Sequence, residues 1–205
     1  MGFEKTFFPY FNKFCIDKLG PDIGRFINME SENKLSNMIK EADYKNNKNI
    51  RWHMDSNMLP AIAMYLTFKE VESTSDKAYE YTDEVLQIFR LKNKKKNQLV
   101  GRAPFGYLGF KIFCKSIVAK QYPEEGWSIQ WIRYDKNEIH FNMKNCIYFE
   151  TTKKYNCPEM CPLFCANDDV VLAGYRPAIV FERNGAIARG QDICDFHFKN
   201  SKYIK

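Results

Sequence analysis

The spacing of apolar residues changes once along the chain, near Gly126. Before that point they recur three and four residues apart, which is the spacing of one face of an α-helix. After it, Trp127, Ile129 and Trp131 alternate with polar residues, as in a strand that buries one face. Helices followed by strands favour an α+β fold with an antiparallel sheet over a wound parallel sheet.

Before the change of period, the apolar spacing predicts a series of amphipathic helices. Asp55 or Ser56 is expected to cap a helix that opens near Met58. His53 then falls in the turn that precedes a helix, where a functional group can lie. The predicted helices lie at about residues 3–18, 30–44, 58–68, 76–96 and 105–120.

After the change of period, the sequence predicts two β-hairpins. The first joins residues 127–131 to residues 139–143 through a polar turn. The second joins residues 178–183 to residues 186–190 through Asn184-Gly185, the strongest short-range hairpin signal. Both hairpins indicate antiparallel pairing.

A helical insertion and one more strand complete the predicted order. The insertion covers about residues 148–174, and the alternation at residues 194–198 predicts the last strand. We therefore expect a single domain over residues 1–205. Its N-terminal helical half, residues 1–122, is expected to pack on a C-terminal antiparallel sheet, residues 123–205, with the inserted helical segment.

Composition and charge argue against several classes of protein. No apolar run approaches the ~18 residues that a membrane helix needs. Seven cysteines, an odd number in a chain that is not a small secreted scaffold, indicate reduced thiols. The net charge of +6 is modest, and we interpret the lysines within residues 92–96 as the solvated end of a helix. We expect a cytoplasmic protein with neither a membrane nor a nucleic-acid partner.

Two cysteines of the C-terminal region each lie within three residues of an aspartate. Asp168 follows Cys165 by three residues, and Asp195 follows Cys194 directly. Neighbouring residues of a strand face opposite sides, so Cys194 and Asp195 cannot both line one pocket. The alternation with Phe196 places Cys194 on the core-facing side. Cys165 with Asp168 is then the better catalytic pair, although core packing explains Cys165 equally well.

The remaining thiols and the histidines suggest no metal or cofactor. The spacing of Cys157 and Cys161 fits neither zinc knuckles nor a radical-type cluster, so we interpret both as buried structural cysteines. His53, His140 and His197 are scattered and form no convincing metal triad. The chain also lacks the nucleophile elbow of serine hydrolases, a phosphate loop and a dinucleotide fingerprint.

An ordered set of short motifs runs along most of the chain. The motifs are Met58-Leu59-Pro60-Ala61-Ile62-Ala63-Met64-Tyr65, Asn145-Cys146-Ile147-Tyr148, Cys165-Ala166-Asn167-Asp168, Phe181-Glu182-Arg183 with Ile187-Ala188-Arg189-Gly190, and Cys194-Asp195-Phe196. In this order they resemble the L-2-amino-thiazoline-4-carboxylic acid hydrolase-like family. One position departs from the family, since many members carry threonine where this chain has Ala186 or Ile187. This departure leaves the substrate open.

The resemblance implies an enzyme, a hydrolase that opens a cyclic 2-aminothiazoline carboxylate to an N-carbamoyl-cysteine type of product. Water or an enzyme thiolate adds to the amidine-like carbon C2 of the ring. The tetrahedral intermediate then expels the ring sulfur, a fair leaving group because a thiol has a pKa of about 8.5. Such a site needs a nucleophile or base, a proton donor for the leaving sulfur, and a cation for the substrate carboxylate.

These requirements give a set of expected site residues. The expected catalytic residues are Cys165, Asp168, Cys194 and Cys146, and the expected substrate-binding residues are Arg183, Arg189, Asp195 and His53. The catalytic side chains are expected to converge in a pocket between the sheet and the helical half.

Two other kinds of protein would carry the same motifs. One is a small-molecule binding protein that uses the same pocket, and the other is a biosynthetic enzyme that acts on a different C–N or C–S bond. In each case the expected partner is a small molecule, and a homo-oligomer is left open.

Overall fold

The computed structural model describes residues 8–72 and 74–204, and it has the predicted α+β fold. Residues 3–7 of the first predicted helix lie outside the described residues. The helices are α1 (Phe8–Leu19), α2 (Pro21–Glu41), α3 (Lys48–His53), α4 (Leu59–Val71), α5 (Ser75–Arg102), α6 (Gly106–Gln121), α7 (Ile147–Lys154) and α8 (Pro162–Leu172). The strands are β1 (Ile129–Tyr134), β2 (Glu138–Met143), β3 (Ile179–Glu182) and β4 (Cys194–Asn200).

Contacts within the chain define two compact units. One unit contains the chain up to Phe89 together with Thr151–Met160, and the other contains Arg90–Glu150 together with the chain from Cys161 onward. The chain passes from one unit to the other within α5, returns within α7, and passes over again after Met160. The single-domain organisation expected from the sequence stays a prediction.

In the first unit, α3 begins ten residues before the predicted helix start at Met58. Asn47 caps it, because the Asn47 side chain accepts hydrogen bonds from the backbone N–H groups of Asn49 and Ile50, at 2.9 and 3.4 Å. The helix continues through a π-helical turn, Met54–Met58, into α4. The chain therefore has no helix start at Met58.

This continuous helix corrects two predictions about side chains. His53 is the buried last residue of α3 and does not lie in a loop. Asp55 and Ser56 are buried within the π-helical turn and cap nothing. The carboxylate of Asp55 instead accepts a hydrogen bond from the hydroxyl of Tyr44, at 2.8 Å.

In the second unit, the strands form an antiparallel sheet in the order β1-β2-β4-β3. Alternation along β4 buries Cys194, Phe196 and Phe198 on one face, as the sequence predicts. Helix α6 packs on this face, where the rings of Phe110 and Phe198 lie 5.0 Å apart. The opposite face is more polar and carries His197 among other residues.

The second predicted hairpin is wrong, because β3 pairs with β4 and residues 187–189 form a 3₁₀ turn. The reason lies in Asp195. Its carboxylate accepts hydrogen bonds from the backbone N–H groups of Asn184 and Gly185, at 2.8 and 2.6 Å. These bonds give the Asn184-Gly185 backbone a side-chain partner, so the chain turns away before a second strand can pair with β3.

The interpretation of the lysines within residues 92–96 as a helix end is also wrong. Helix α5 continues for another six residues, to Arg102. The buried side of its residues 90–102 packs within the second unit, where the side-chain amide of Asn97 donates a hydrogen bond to the carbonyl of Val171 at 3.0 Å. The lysine cluster therefore lies in the body of a long helix.

Candidate active site

The centre of the candidate site is the side chain of Arg183, just after β3. Only 2% of this side chain is exposed. Its guanidinium donates hydrogen bonds to Asp168 at 3.3 Å, to Asp169 at 2.5 Å and to the backbone carbonyl of Cys165 at 2.5 Å. It also lies 5.3 Å from the ring centre of Phe196. Arg183 thus joins α8 to the sheet and places a buried positive charge between two carboxylates.

Asp169 connects this buried arginine to a second, exposed one. One oxygen of Asp169 accepts from Arg183, and the other accepts from Arg189 at 2.7 Å. The Arg189 side chain is 43% exposed and lies in the 3₁₀ turn after β3. Sequence reasoning missed Asp169, although its position directly after Asp168 was a visible signal.

The carboxylate of Asp168 is partly buried beside Arg183. The Asp168 side chain keeps 29% of its accessible surface, yet burial among protein atoms is the main influence on its charge. Burial raises the pKa of Asp168 to about 6, Arg183 opposes this rise, and the negative charge of Asp169 adds to it. Asp168 can therefore gain or lose a proton near neutral pH, as a general acid or base must.

Cys146 occupies the position directly before α7 and is only partly buried. Its carbonyl accepts the first helical bond of α7, from the N–H of Glu150 at 3.1 Å. Burial raises the pKa of the Cys146 thiol to about 11, while backbone N–H groups of Phe149 and Tyr148 act in the opposite direction. Cys146 is thus a thiol whose anion the helix N-terminus would stabilise.

The other two predicted thiols are more deeply buried. Burial raises the pKa of Cys165 to about 12, although the positive charge of Arg183 opposes the rise. Burial also raises the pKa of Cys194, against the effect of the Ile187 N–H, which lies 3.2 Å from its sulfur. All three thiols are therefore neutral at physiological pH, and it is the smaller exposed surface of Cys165 and Cys194 that fits core packing better than nucleophilic attack.

The predicted catalytic side chains lie close enough to influence one another's charge. Asp168 raises the pKa of Cys146, Cys165 and Cys194, and Cys194 raises the pKa of both other thiols. All four belong to the second unit, as do Arg183 and Arg189. The structure therefore brings these six predicted residues into one neighbourhood.

Two of the predicted substrate-binding residues, Asp195 and His53, make contacts other than those with Arg183 and Asp169 described above. Both carboxylate oxygens of Asp195 accept hydrogen bonds from Asn184 or Gly185, so Asp195 holds the loop after β3. His53 belongs to the first unit, where its ring lies 5.0 Å from that of Trp52. A role for His53 in substrate binding stays a prediction.

Tyrosines that sequence reasoning missed also belong to this neighbourhood. Burial raises the pKa of Tyr122 and Tyr148, and the charge of Asp168 adds to both rises. Tyr122 and Trp127 also line a groove of about 960 Å³ between the end of α6 and β1. This volume is ample for a small molecule. No local sequence signal distinguished these tyrosines from core residues.

Metal ligation does not explain the cluster. Among residues 8–72 and 74–204, no group of three or more histidine, cysteine, aspartate or glutamate side chains could hold a metal ion. Over the same part of the chain, no helix is long and apolar enough to cross a bilayer. The arrangement is instead suited to acid–base chemistry beside a thiol.

The fold and this cluster define an α+β protein with a site of thiols, a carboxylate of raised pKa and paired arginines. Residues 51–198 match the family model of L-2-amino-thiazoline-4-carboxylic acid hydrolase. The chain therefore belongs to this family, as its motifs predict. Comparison with curated proteins and with solved structures finds no match.

Proposed function

We propose that the protein is a hydrolase that opens a cyclic 2-aminothiazoline carboxylate to an N-carbamoyl-cysteine type of product. The observation that carries this proposal is the placement of Asp168, with a pKa of about 6, within electrostatic reach of Cys146 at the start of α7. A carboxylate of this pKa can take the proton of a neighbouring thiol or of water at neutral pH. Membership of the family supports the same class of reaction.

The proposed first step forms a covalent intermediate on Cys146. Asp168 takes the thiol proton, and the sulfur attacks C2 of the ring while the C2=N electrons move onto nitrogen. As these electrons return, the bond from C2 to the ring sulfur breaks, and Asp168 passes its proton to the departing thiolate. The product of this step is an isothiourea on Cys146 with a free thiol on the substrate.

The proposed second step releases the product with one water molecule. Asp168 takes a proton from water, and the oxygen attacks the isothiourea carbon. The bond to Cys146 breaks, and Cys146 recovers a proton from Asp168. The second proton of the water moves to nitrogen as the urea carbonyl forms. The net change is the addition of one water molecule to the ring.

We assign recognition of the substrate carboxylate to Arg189. Arg183 is almost completely buried, and three hydrogen bonds already hold its guanidinium, so it positions Asp168. Arg189 is exposed, and its guanidinium pairs with the partly exposed carboxylate of Asp169. A substrate carboxylate can therefore approach Arg189 from solvent and form a bidentate pair.

The raised pKa values of all three thiols also favour a second candidate, a small-molecule binding protein. Release of thiol from 2-aminothiazoline-4-carboxylate, followed with a thiol-reactive dye, separates the two functions. For the hydrolase we expect turnover by the unmodified protein, its loss in Asp168→Asn and Cys146→Ser, and its retention in Cys165→Ser. Binding of this compound without turnover would favour the binding protein or a different C–N or C–S substrate.

A further inference from the structure

The charges of this chain are distributed very unevenly. Residues 90–123, here called the basic segment, contain nine lysines and arginines and no aspartate or glutamate. The other residues hold 22 lysines and arginines together with all 25 acidic residues. The positive net charge of the protein therefore arises entirely from this segment, which belongs to the second unit.

Helix termini account for only two of these charges, Arg102 and Lys120, which lie in the last turns of α5 and α6. Lys95 and Lys96 lie within the 28-residue helix α5, more than one turn before its end at Arg102. The macrodipole stabilises cations only within the last turn of a helix. Both lysines and Arg102 are exposed, while the opposite side of α5 packs within the second unit through Asn97. The segment thus directs positive charge to the surface.

The same segment exposes large apolar side chains. Phe105, in the connection between α5 and α6, is 74% exposed, and Ile112 in α6 is 65% exposed. Further apolar side chains of α6 are exposed as well, namely Leu108, Phe113 and Ile117. The buried side of α6 faces the sheet through Tyr107 and Phe110. Exposed apolar side chains of this size are typical of a surface that binds a protein, a membrane or a ligand.

We infer that the basic segment binds the surface of an anionic lipid bilayer. The basic segment combines exposed basic side chains with exposed phenylalanine, leucine and isoleucine. This is the composition of helices that lie in a membrane interface. Anionic headgroups complement the positive charge, and the acyl boundary accepts the apolar side chains. Nucleic acid would satisfy the lysines but would leave Phe105 and Ile112 in water. Binding of this kind is peripheral and departs from the absence of a membrane partner expected from the sequence.

Sedimentation of the full chain with vesicles tests this inference. The probes are vesicles of phosphatidylserine and phosphatidylcholine, at a ratio of about 1 to 3, and vesicles of phosphatidylcholine alone. We expect binding to the anionic vesicles that weakens as salt screens the charges. Replacement of Lys95, Lys96 and Arg102 by glutamine should weaken binding at least about tenfold. The double variant Ile112→Ser/Phe113→Ser should weaken it while the melting temperature stays unchanged.

Matched variants in the first unit provide the controls. Replacement of Lys13, Lys40 and Lys48 by glutamine removes the same charge, and Ile23→Ser/Phe26→Ser removes two exposed apolar side chains. Both controls should bind anionic vesicles like the unmodified protein. Equal weakening by the controls, equal binding to both kinds of vesicle, or no vesicle binding would overturn the inference. Binding to duplex DNA or to an acidic peptide without vesicle binding would overturn it as well.

Discussion

The guanidinium of Arg183 donates a hydrogen bond to the carboxylate of Asp168 from a side chain that is almost completely buried. A buried cation needs partners, and a carboxylate whose pKa lies near 6 needs a local positive charge to remain ionised at neutral pH. Asp168 therefore supplies the negative partner that the buried Arg183 needs, and Arg183 supplies the positive charge that keeps Asp168 ionised. The experiments below separate the structural part of this relationship from the chemical part.

Arg183→Met should destabilise the fold by about 3 kcal/mol, because it leaves two carboxylates beside an apolar side chain. Chemical denaturation, with the free energy of unfolding extrapolated to water, measures this loss. Arg189→Met is the matched control and should cost less than about 1 kcal/mol, since Arg189 is exposed. Similar losses in the two variants would contradict the central position of Arg183.

The pH dependence of turnover should report the ionisation of Asp168. Its raised pKa means that the folded protein keeps this proton up to about pH 6, and a protonated Asp168 cannot accept another. Turnover should therefore fall as the pH decreases through about 6. The contribution of Asp168 to stability has the opposite trend, since it is present at low pH and is lost as the pH rises through about 6.

Asp169→Asn should move the acid limb of this profile to lower pH. The substitution removes a negative charge that raises the pKa of Asp168, and it leaves Arg183 with Asp168 as its carboxylate partner. Both changes favour the ionised form of Asp168. Glu182→Gln, a control on β3, should leave the profile unchanged. An unshifted pH profile in Asp169→Asn would show that Asp169 does not influence the pKa of Asp168.

Alkylation by iodoacetamide should distinguish the thiols of the site. Cys146 is partly exposed at a helix N-terminus, whereas Cys165 and Cys194 are buried. We expect Cys146 to react first among these three, with a rate that increases with pH as the thiolate forms. Peptide mass spectrometry after short exposure identifies the modified site. Earlier modification of Cys165 would reverse the assignment of the nucleophile.

Arg189→Gln should raise the KM for a 2-aminothiazoline carboxylate roughly tenfold or more and change kcat little. The expected loss is that of one charge-assisted pair to the substrate carboxylate. Arg189→Lys, which keeps the charge but not the planar fork, should give an intermediate KM. An unchanged KM in Arg189→Gln would show that another group holds the carboxylate.

The parts of this fold that the sequence predicted depend on local spacing. Alternation around Phe196 predicted β4 and its buried face, and both are confirmed. The hairpin predicted at Asn184-Gly185 is wrong because its usual turn competes with hydrogen bonds that these two backbone N–H groups donate to Asp195, a residue ten or eleven positions later. His53 was placed in a loop because a π-helical turn has no simple periodic signature.

The residues of the candidate site could likewise be predicted only where local motifs mark them. The motifs contained Cys146, Asp168 and Arg183, and the structure places them in one neighbourhood. How each acts stays a prediction. Asp169 and Tyr122 could not be predicted as site residues, because the contacts that make them so are with residues distant in the chain. Asp169 accepts a hydrogen bond from Arg183, and the charge of Asp168 acts on Tyr122. Ion pairs between distant residues and the burial of their side chains arise only in the folded protein.

The π-helical turn at Met54–Met58 gives the chain a place where its length can change. A π-helical turn holds one residue more than an α-helical turn, so the loss of Asn57 would restore a regular helix. The wider turn absorbs the extra residue, so α3 and α4 would keep nearly their present faces. A deletion in the body of α4 has no such turn to remove, and it would rotate the residues before it by about 100° around the helix axis. One lost residue would thus be tolerated in this turn, whereas within α4 it would exchange an inward face for an outward one.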